Sequence, residues 1–174
     1  QTVSQYATEN YNWKIISKQW ENSMNSLLNA STEQIYFRPQ TLDNWIFDEV
    51  YNQNTYEIGN FNENDIVVDI GAHSGYFAKL CMDSGCKNIH CFEPEEENFQ
   101  CLLKNLSSYS YYQAYQLAVY REMGTIDFCK VPGRNTGLHS VYDRGGIVAK
   151  VNSVSLDDIL FNLPKVTLLK IDTE

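Results

Sequence analysis

Residues 65–80 read "DIVVDIGAHSGYFAKL". Three apolar positions, Ile66, Val67 and Val68, lead to Asp69, two glycines follow four apart, and a helical pattern resumes. Glycine costs more conformational entropy to order than any other residue. A glycine pair between a strand and a helix implies that something comes close to the backbone there.

The surrounding chain alternates in the same way. Strand patterns cover 66–70, 88–92, about 112–119 and 166–171; helix patterns cover about 75–83, 96–106 and 156–162. Such alternation predicts an α/β fold, a doubly wound, mainly parallel sheet with helices on both faces. A turn-rich insert, 124–155, has alternating runs between glycines and predicts a small β-hairpin region. Upstream, "IYFRP" (35–39) reads as a short strand ended by proline. "TLDNWIFDEVYNQ" (41–53) reads as a helix with Thr41 or Asp43 as N-cap and Trp45, Ile46 and Val50 as its apolar face. Residues 1–34, with Trp13 and Trp20 at near-helical spacing, predict a helical N-terminal extension to a main domain over 35–174.

Composition bounds the partners. Of 174 residues 43% are apolar, enough for a packed core, and no run approaches the roughly 20 apolar residues of a membrane span. Acids outnumber Lys and Arg 22 to 13. That balance disfavours nucleic acid, whose binding rests on phosphate neutralisation, and suits a small-molecule or glycan acceptor. Five cysteines, at 81, 86, 91, 101 and 129, lack the short loops of structural zinc sites and read as buried hydrophobes in a reducing, cytoplasmic compartment. The chain opens on Gln and ends on the strand pattern "LLKIDTE", so both ends read as cut, with strands of the sheet missing at the C-terminus.

In a doubly wound sheet, ligands bind at the carboxyl ends of the strands near the topological switch point. The turn Asp69-Ile70-Gly71-Ala72-His73-Ser74-Gly75 falls there. A dinucleotide site wants G-x-G-x-x-G, so that a pyrophosphate can approach the backbone. Here His73 occupies the place of the middle glycine and the last glycine comes early. That favours an adenosyl cofactor without phosphates, S-adenosyl-L-methionine, over a nicotinamide dinucleotide. Asp69 would stand near its ammonium, and backbone N–H groups from Gly71 through Ala72 and His73 to Gly75 near its polar parts. A ribose needs a paired acceptor ending the second strand. "IHCFEPEEENF" (89–99) supplies Glu93, 18 residues past Gly75; Glu95, Glu96 and Glu97 read as solvated acids of the next helix's first turn. Gln116 and Ala118, late in the third strand, fall where the adenine ring would lie.

"VVDIGAHSGYF", "CFEPEEENFQCLLKNL", "LAVY…GTIDF", "SLDDIL" and "LLKIDTE" together resemble the FkbM family of S-adenosylmethionine-dependent methyltransferases over roughly residues 35–174. The resemblance implies a class I, Rossmann-like methyltransferase fold and O-methylation of a sugar, polyketide or related hydroxyl. It also implies that Arg38 and Asp43 shape the pocket. Two departures stand out: His73, where the family more often has Asn, and the end at Glu174, where the family continues with Gly-Ala-Glu and further strands.

Methyl transfer to a hydroxyl needs an in-line acceptor and benefits from a base or a metal. Asp172, ending the fourth strand, and Glu174 are the candidate catalytic residues, as base and orienter or as ligands of a divalent cation. His139 and Ser140 lie in the insert; His139 titrates in a suitable range but reads as a surface histidine. The competing readings are a nicotinamide-dependent oxidoreductase and a cofactor-binding module without catalysis.

Overall fold

A computed structural model describes residues 35–130, 133, 139 and 146–173. The expected helical extension over 1–34, with Trp13 and Trp20, lies outside the described residues, as do Ser140 and Glu174.

Helix α1 (Asp43–Phe47) runs into a π-helical turn, Asp48–Asn52. Then follow β1 (Val67–Ile70), α2 (Tyr76–Asp83), β2 (Ile89–Phe92), α3 (Glu96–Asn105), β3 (Tyr112–Tyr115) and β4 (Ala118–Tyr120). The chain continues through β5 (Gly124–Lys130), β6 (Ile147–Ser155), α4 (Leu156–Phe161) and β7 (Leu168–Ile171). Four strands form a parallel sheet in the order β3-β2-β1-β7. The chain steps outward from β1 to β2 to β3, then returns to the other side of β1 with β7. The reversal at β1 is the topological switch point, between the carboxyl ends of β1 and β7.

Both faces of this sheet are covered, which is why its strands read as apolar runs with little alternation. Val67, Ile89 and Cys91 pack with Phe77, Ala78 and Cys81 of α2 and Leu102 and Leu106 of α3. On the opposite face Val68, Ile70 and Phe92 pack with Ile159 of α4. Helix α3 starts on Glu95, whose side chain accepts from the Asn98 N–H at 2.8 Å. Glu95 is therefore a buried N-cap, not the solvated acid expected, and Lys130 Nζ lies 2.5 Å from its Oε1. Ser155 caps α4 by accepting from the Asp158 N–H at 3.0 Å.

Three expectations are corrected. The single strand over 112–119 is two strands: β3 closes the parallel sheet, while β4 joins a second sheet, β4-β6-β5, built on the β5–β6 hairpin. Residues 35–39 form no strand; their polar groups go to side chains, with Tyr36 N–H donating to Asn105 Oδ1 at 2.8 Å and Arg38 N–H to Asp43 Oδ2 at 2.9 Å. Helix α1 has Leu42 at its N-cap and no bond from that side chain: Asp43 is fully buried against Arg38, Thr41 Oγ1 accepts from the Asp43 N–H at 3.3 Å, and Trp45 is 60% exposed instead of facing the core. The insert's expected hairpin is present.

Candidate active site

The glycine turn sits where β1 ends. Gly71 has φ +76°, and a Cβ there would lie 2.1 Å from the Asp172 carbonyl oxygen. Gly75 has φ +82°, and its Cβ would meet Leu102 Cγ at 3.1 Å. What approaches the backbone at both glycines is therefore the protein itself: the neighbouring strand end at Gly71, and helix α3 at Gly75. Gly71, Ala72, His73 and Gly75 also commit their N–H groups within the protein. Gly71 and Ala72 donate to the Phe92 carbonyl at 3.0 Å, and Gly75 to the Ala72 carbonyl at 2.9 Å.

The His73 N–H donates to Glu93 Oε2 at 2.8 Å. Glu93 follows β2 directly. Its Oε1 accepts from the Glu95 N–H at 3.0 Å and from Asn98 Nδ2 at 3.3 Å. A carboxylate offers about four acceptor positions, so one beyond these three is open to a ligand hydroxyl. Glu93 is 5% exposed, and burial pushes its pKa up to about 7 against those three donors.

A largely buried cation, its side chain 10% exposed, braces this arrangement. Arg38 Nε and Nη2 pair with both oxygens of Asp43 at 2.8 and 2.7 Å. Its Nη1 donates to Asn98 Oδ1 at 2.6 Å and its Nη2 to Ser74 Oγ at 2.9 Å. Burial alone would raise the Asp43 pKa; the hydrogen bonds from Arg38 outweigh it and hold the carboxyl below its ordinary value. His73 Nε2 lies 3.3 Å from Arg38 Nη2, whose two protons face Asp43 and Ser74; a guanidinium only donates, so Nε2 is unprotonated there and at most shares one of those protons. Burial, then Arg38, push the His73 imidazole down to about 4, so it is neutral near pH 7.

Above the turn lies a cavity of about 360 Å³. Glu93, Gly71 and His73 line one side; Leu117, Ala118 and Phe128 give it an apolar flank. The upstream segment also lines it, through Glu49, Val50, Thr55 and Tyr56, as does Asp172 at the end of β7 beside Gly71. Tyr56 Oη donates to Asp172 Oδ2 at 2.5 Å. His139 lines the cavity edge-on to Phe128, half-buried, with its pKa lowered by burial, and is not the surface residue expected.

The cavity thus brings together Gly71, His73, Glu93, Ala118 and Asp172 of the expected site. Asp69, Ala72, Gly75 and Gln116 are not on its wall. Asp69 is fully buried on the opposite face of β1, bonded to Lys170 Nζ at 2.9 Å. Ala72 is buried in the core, Gly75 faces α3, and exposed Gln116 donates to Glu96 Oε2 at 2.6 Å. Among the described residues no group of three or more His, Cys, Asp or Glu could hold a metal ion. The five cysteines are free and buried. No described helix is long and apolar enough to cross a membrane.

A parallel sheet with its cavity at the switch point, and an acid ending the strand beside the first, defines the Rossmann-like class. The sequence profile of the methyltransferase FkbM domain matches residues 69–174, and the chain belongs to that family. The crystal structure of methyltransferase FkbM from Methylobacillus flagellatus KT is similar at 16% identity, with a TM-score of 0.48, over 72% of this chain and 30% of that one. The chain therefore spans less than a third of that protein's length. No curated protein matches it.

Proposed function

We propose that this chain carries the cofactor-binding core of an S-adenosylmethionine-dependent O-methyltransferase that acts on a hydroxyl of a sugar, glycan or related small metabolite. The observation that carries the reading is Glu93: a nearly buried carboxylate on the cavity wall, fixed by three protein donors, with an acceptor position left for a ribose hydroxyl. Leu117, Ala118 and Phe128 supply an apolar flank for the adenine ring. The commitment of four of the turn's N–H groups, those of Gly71, Ala72, His73 and Gly75, speaks against a pyrophosphate, which needs such donors free, and so against a nicotinamide dinucleotide. The bound cofactor supplies an electrophilic methyl group on sulfur. Asp172, at the cavity beside Gly71, takes the acceptor's proton. Five free cysteines support a reducing, cytoplasmic setting.

The test is calorimetric titration with S-adenosylhomocysteine and with NAD. The first is expected to bind and the second not to. Glu93→Ala should weaken the first by about 1–3 kcal/mol, the scale of losing hydrogen bonds to a charged group. Unchanged affinity would remove Glu93 from the site. Binding without transfer to any of a panel of methyl glycosides would instead favour a module without catalysis. If EDTA stops transfer and Mg²⁺ restores it, transfer needs a divalent cation, and a raised Mg²⁺ requirement in Asp172→Asn would put Asp172 at its site.

A further inference from the structure

We propose that Tyr56 is a positioning residue for methyl transfer, holding the Asp172 carboxylate at the cavity with one oxygen tied and the other open to an acceptor hydroxyl. The inference rests on the methyltransferase reading above and adds a residue from outside the family match, which begins at residue 69.

Asp172 is the first residue past β7, and its side chain is 61% exposed. An exposed carboxylate at a strand end samples several rotamers, and a base that wanders loses the benefit of proximity. Here Tyr56, 116 residues away in sequence, donates its phenol proton to Oδ2. Among the described residues Oδ1 has no partner. Only Oδ1 is then placed to take a proton from an acceptor.

The phenol itself is held by the core. Its ring stands edge-on to Phe77, centroids 5.1 Å apart at 75°. Phe77 is 3% exposed and packed in α2's apolar face. The Lys170 ammonium lies 5.7 Å from the Tyr56 centroid and 4.0 Å from Asp172 Oδ2. That ammonium is already bonded to Asp69 and to the Gly71 carbonyl, each at 2.9 Å, so it cannot turn freely toward Asp172. Glu49 faces the same wall. Tyr56 is therefore the group that transmits the rigidity of the core to Asp172.

Magnitude separates this role from simple stabilisation. A hydrogen bond to a solvent-exposed carboxylate adds little to stability, about 1 kcal/mol or less, because water competes for both partners. A misplacement of about 1 Å at a reacting group can cost about 100-fold in rate. The consequence of the Tyr56 contact falls on geometry. In the step it serves, the acceptor's proton passes to Oδ1 as its oxygen takes the methyl group, and the electron pair of the broken carbon–sulfur bond stays on sulfur.

The experiment uses the full chain as wild type, Tyr56→Phe, Asp172→Asn and the double variant. Each is titrated with S-adenosylhomocysteine, then assayed for its release from S-adenosylmethionine with a panel of methyl glycosides. Tyr56→Phe should lower kcat about 10-fold or more while leaving KM for the cofactor within about twofold. Asp172→Asn should fall further, and the double variant should be no slower than Asp172→Asn, because the two residues act as one unit. In tyrosine labelled with ¹³C at Cζ, the resonance missing from Tyr56→Phe should shift in Asp172→Asn at constant pH. A wild-type kcat in Tyr56→Phe, losses that multiply in the double variant, or an unmoved Cζ resonance would overturn the inference while leaving cofactor binding intact. A wild type that binds no S-adenosylhomocysteine, or methylates no glycoside, overturns the methyltransferase reading and the role of Tyr56 with it.

Discussion

Glu93 and Asp172 stand at the carboxyl ends of the two strands that flank β1, yet they are held in opposite ways. Glu93 is nearly buried and receives three donors, two from backbone, and one of its partners is braced by Arg38. Asp172 is largely exposed and receives one phenol. The first arrangement suits a group that must present a fixed acceptor to a ligand that stays through the reaction. The second suits a group that must change protonation and meet varied acceptors.

The two regions meet at Gly71, and the sharpest way to break the comparison is to force them apart. Gly71→Ala would place a Cβ 2.1 Å from the Asp172 carbonyl at a φ of +76°. Neither neighbour moves easily, because just past their strands Gly71 N–H is still bonded to the Phe92 carbonyl and Asp172 N–H to the Ile70 carbonyl, each at 3.0 Å. A loss of about 5 kcal/mol is expected, near the whole stability of a small domain. Urea unfolding by circular dichroism measures it; a loss under about 2 kcal/mol would mean the two strand ends are not in contact.

The next effect tests the buried side alone. Arg38→Met leaves the fully buried Asp43 carboxylate without its cation and should cost about 3 kcal/mol. Replacing both, as Arg38→Met with Asp43→Leu, should regain most of that stability, since no charge is then stranded. S-adenosylhomocysteine affinity should stay weak in the double variant, because Asn98 has lost its brace. Full affinity there would show that Glu93 does not need Arg38.

This contrast also explains what could be read from the sequence. The parallel sheet was legible because β1 and β2 are short apolar runs followed by helix signals. Glu93 was legible because an acid directly after "IHCF" has nowhere to go but the strand end. The roles of the glycines were not: Gly71 and Gly75 give the same pattern whether a ligand or the protein approaches, and only the packing of Asp172 and Leu102 decides. Asp69 likewise lies one face away from the cavity, on a strand whose two faces are both buried. Its partner left a signal, since Lys170 interrupts the apolar run of "LLKID" and a buried lysine demands an acid. Tyr56 left none. It lies in an irregular stretch, 53–66, with no periodicity, and its contact spans 116 residues. The upstream helix misled for a definite reason. Its second half is π-helical, so the 3.6-residue spacing that put Trp45 on the core face does not hold.

The smallest expected effect sharpens the electrostatic side of the comparison. Glu93 titrates near 4.5 when unfolded and near 7 when folded. Its folded form binds the proton more tightly, so its contribution to stability is full below pH 4.5 and is lost as pH rises through 7. His73 runs the other way, from 6.5 unfolded to about 4 folded. Its contribution is full above pH 6.5 and is lost as pH falls through 4. Between pH 5 and 6 the two slopes oppose each other, each about 1.4 kcal/mol per pH unit for one proton. Removing either should unmask the other. Relative to wild type, Glu93→Gln should gain stability with rising pH across that window. His73→Asn should lose it; asparagine tolerates the positive φ of 50° at that position, so strain does not confuse the reading. Urea midpoints at pH 5.0, 5.5 and 6.0 measure both differences. Parallel curves for wild type and Glu93→Gln would mean that Glu93 is already ionised at pH 5, and a carboxylate charged there cannot be as desolvated as its burial implies.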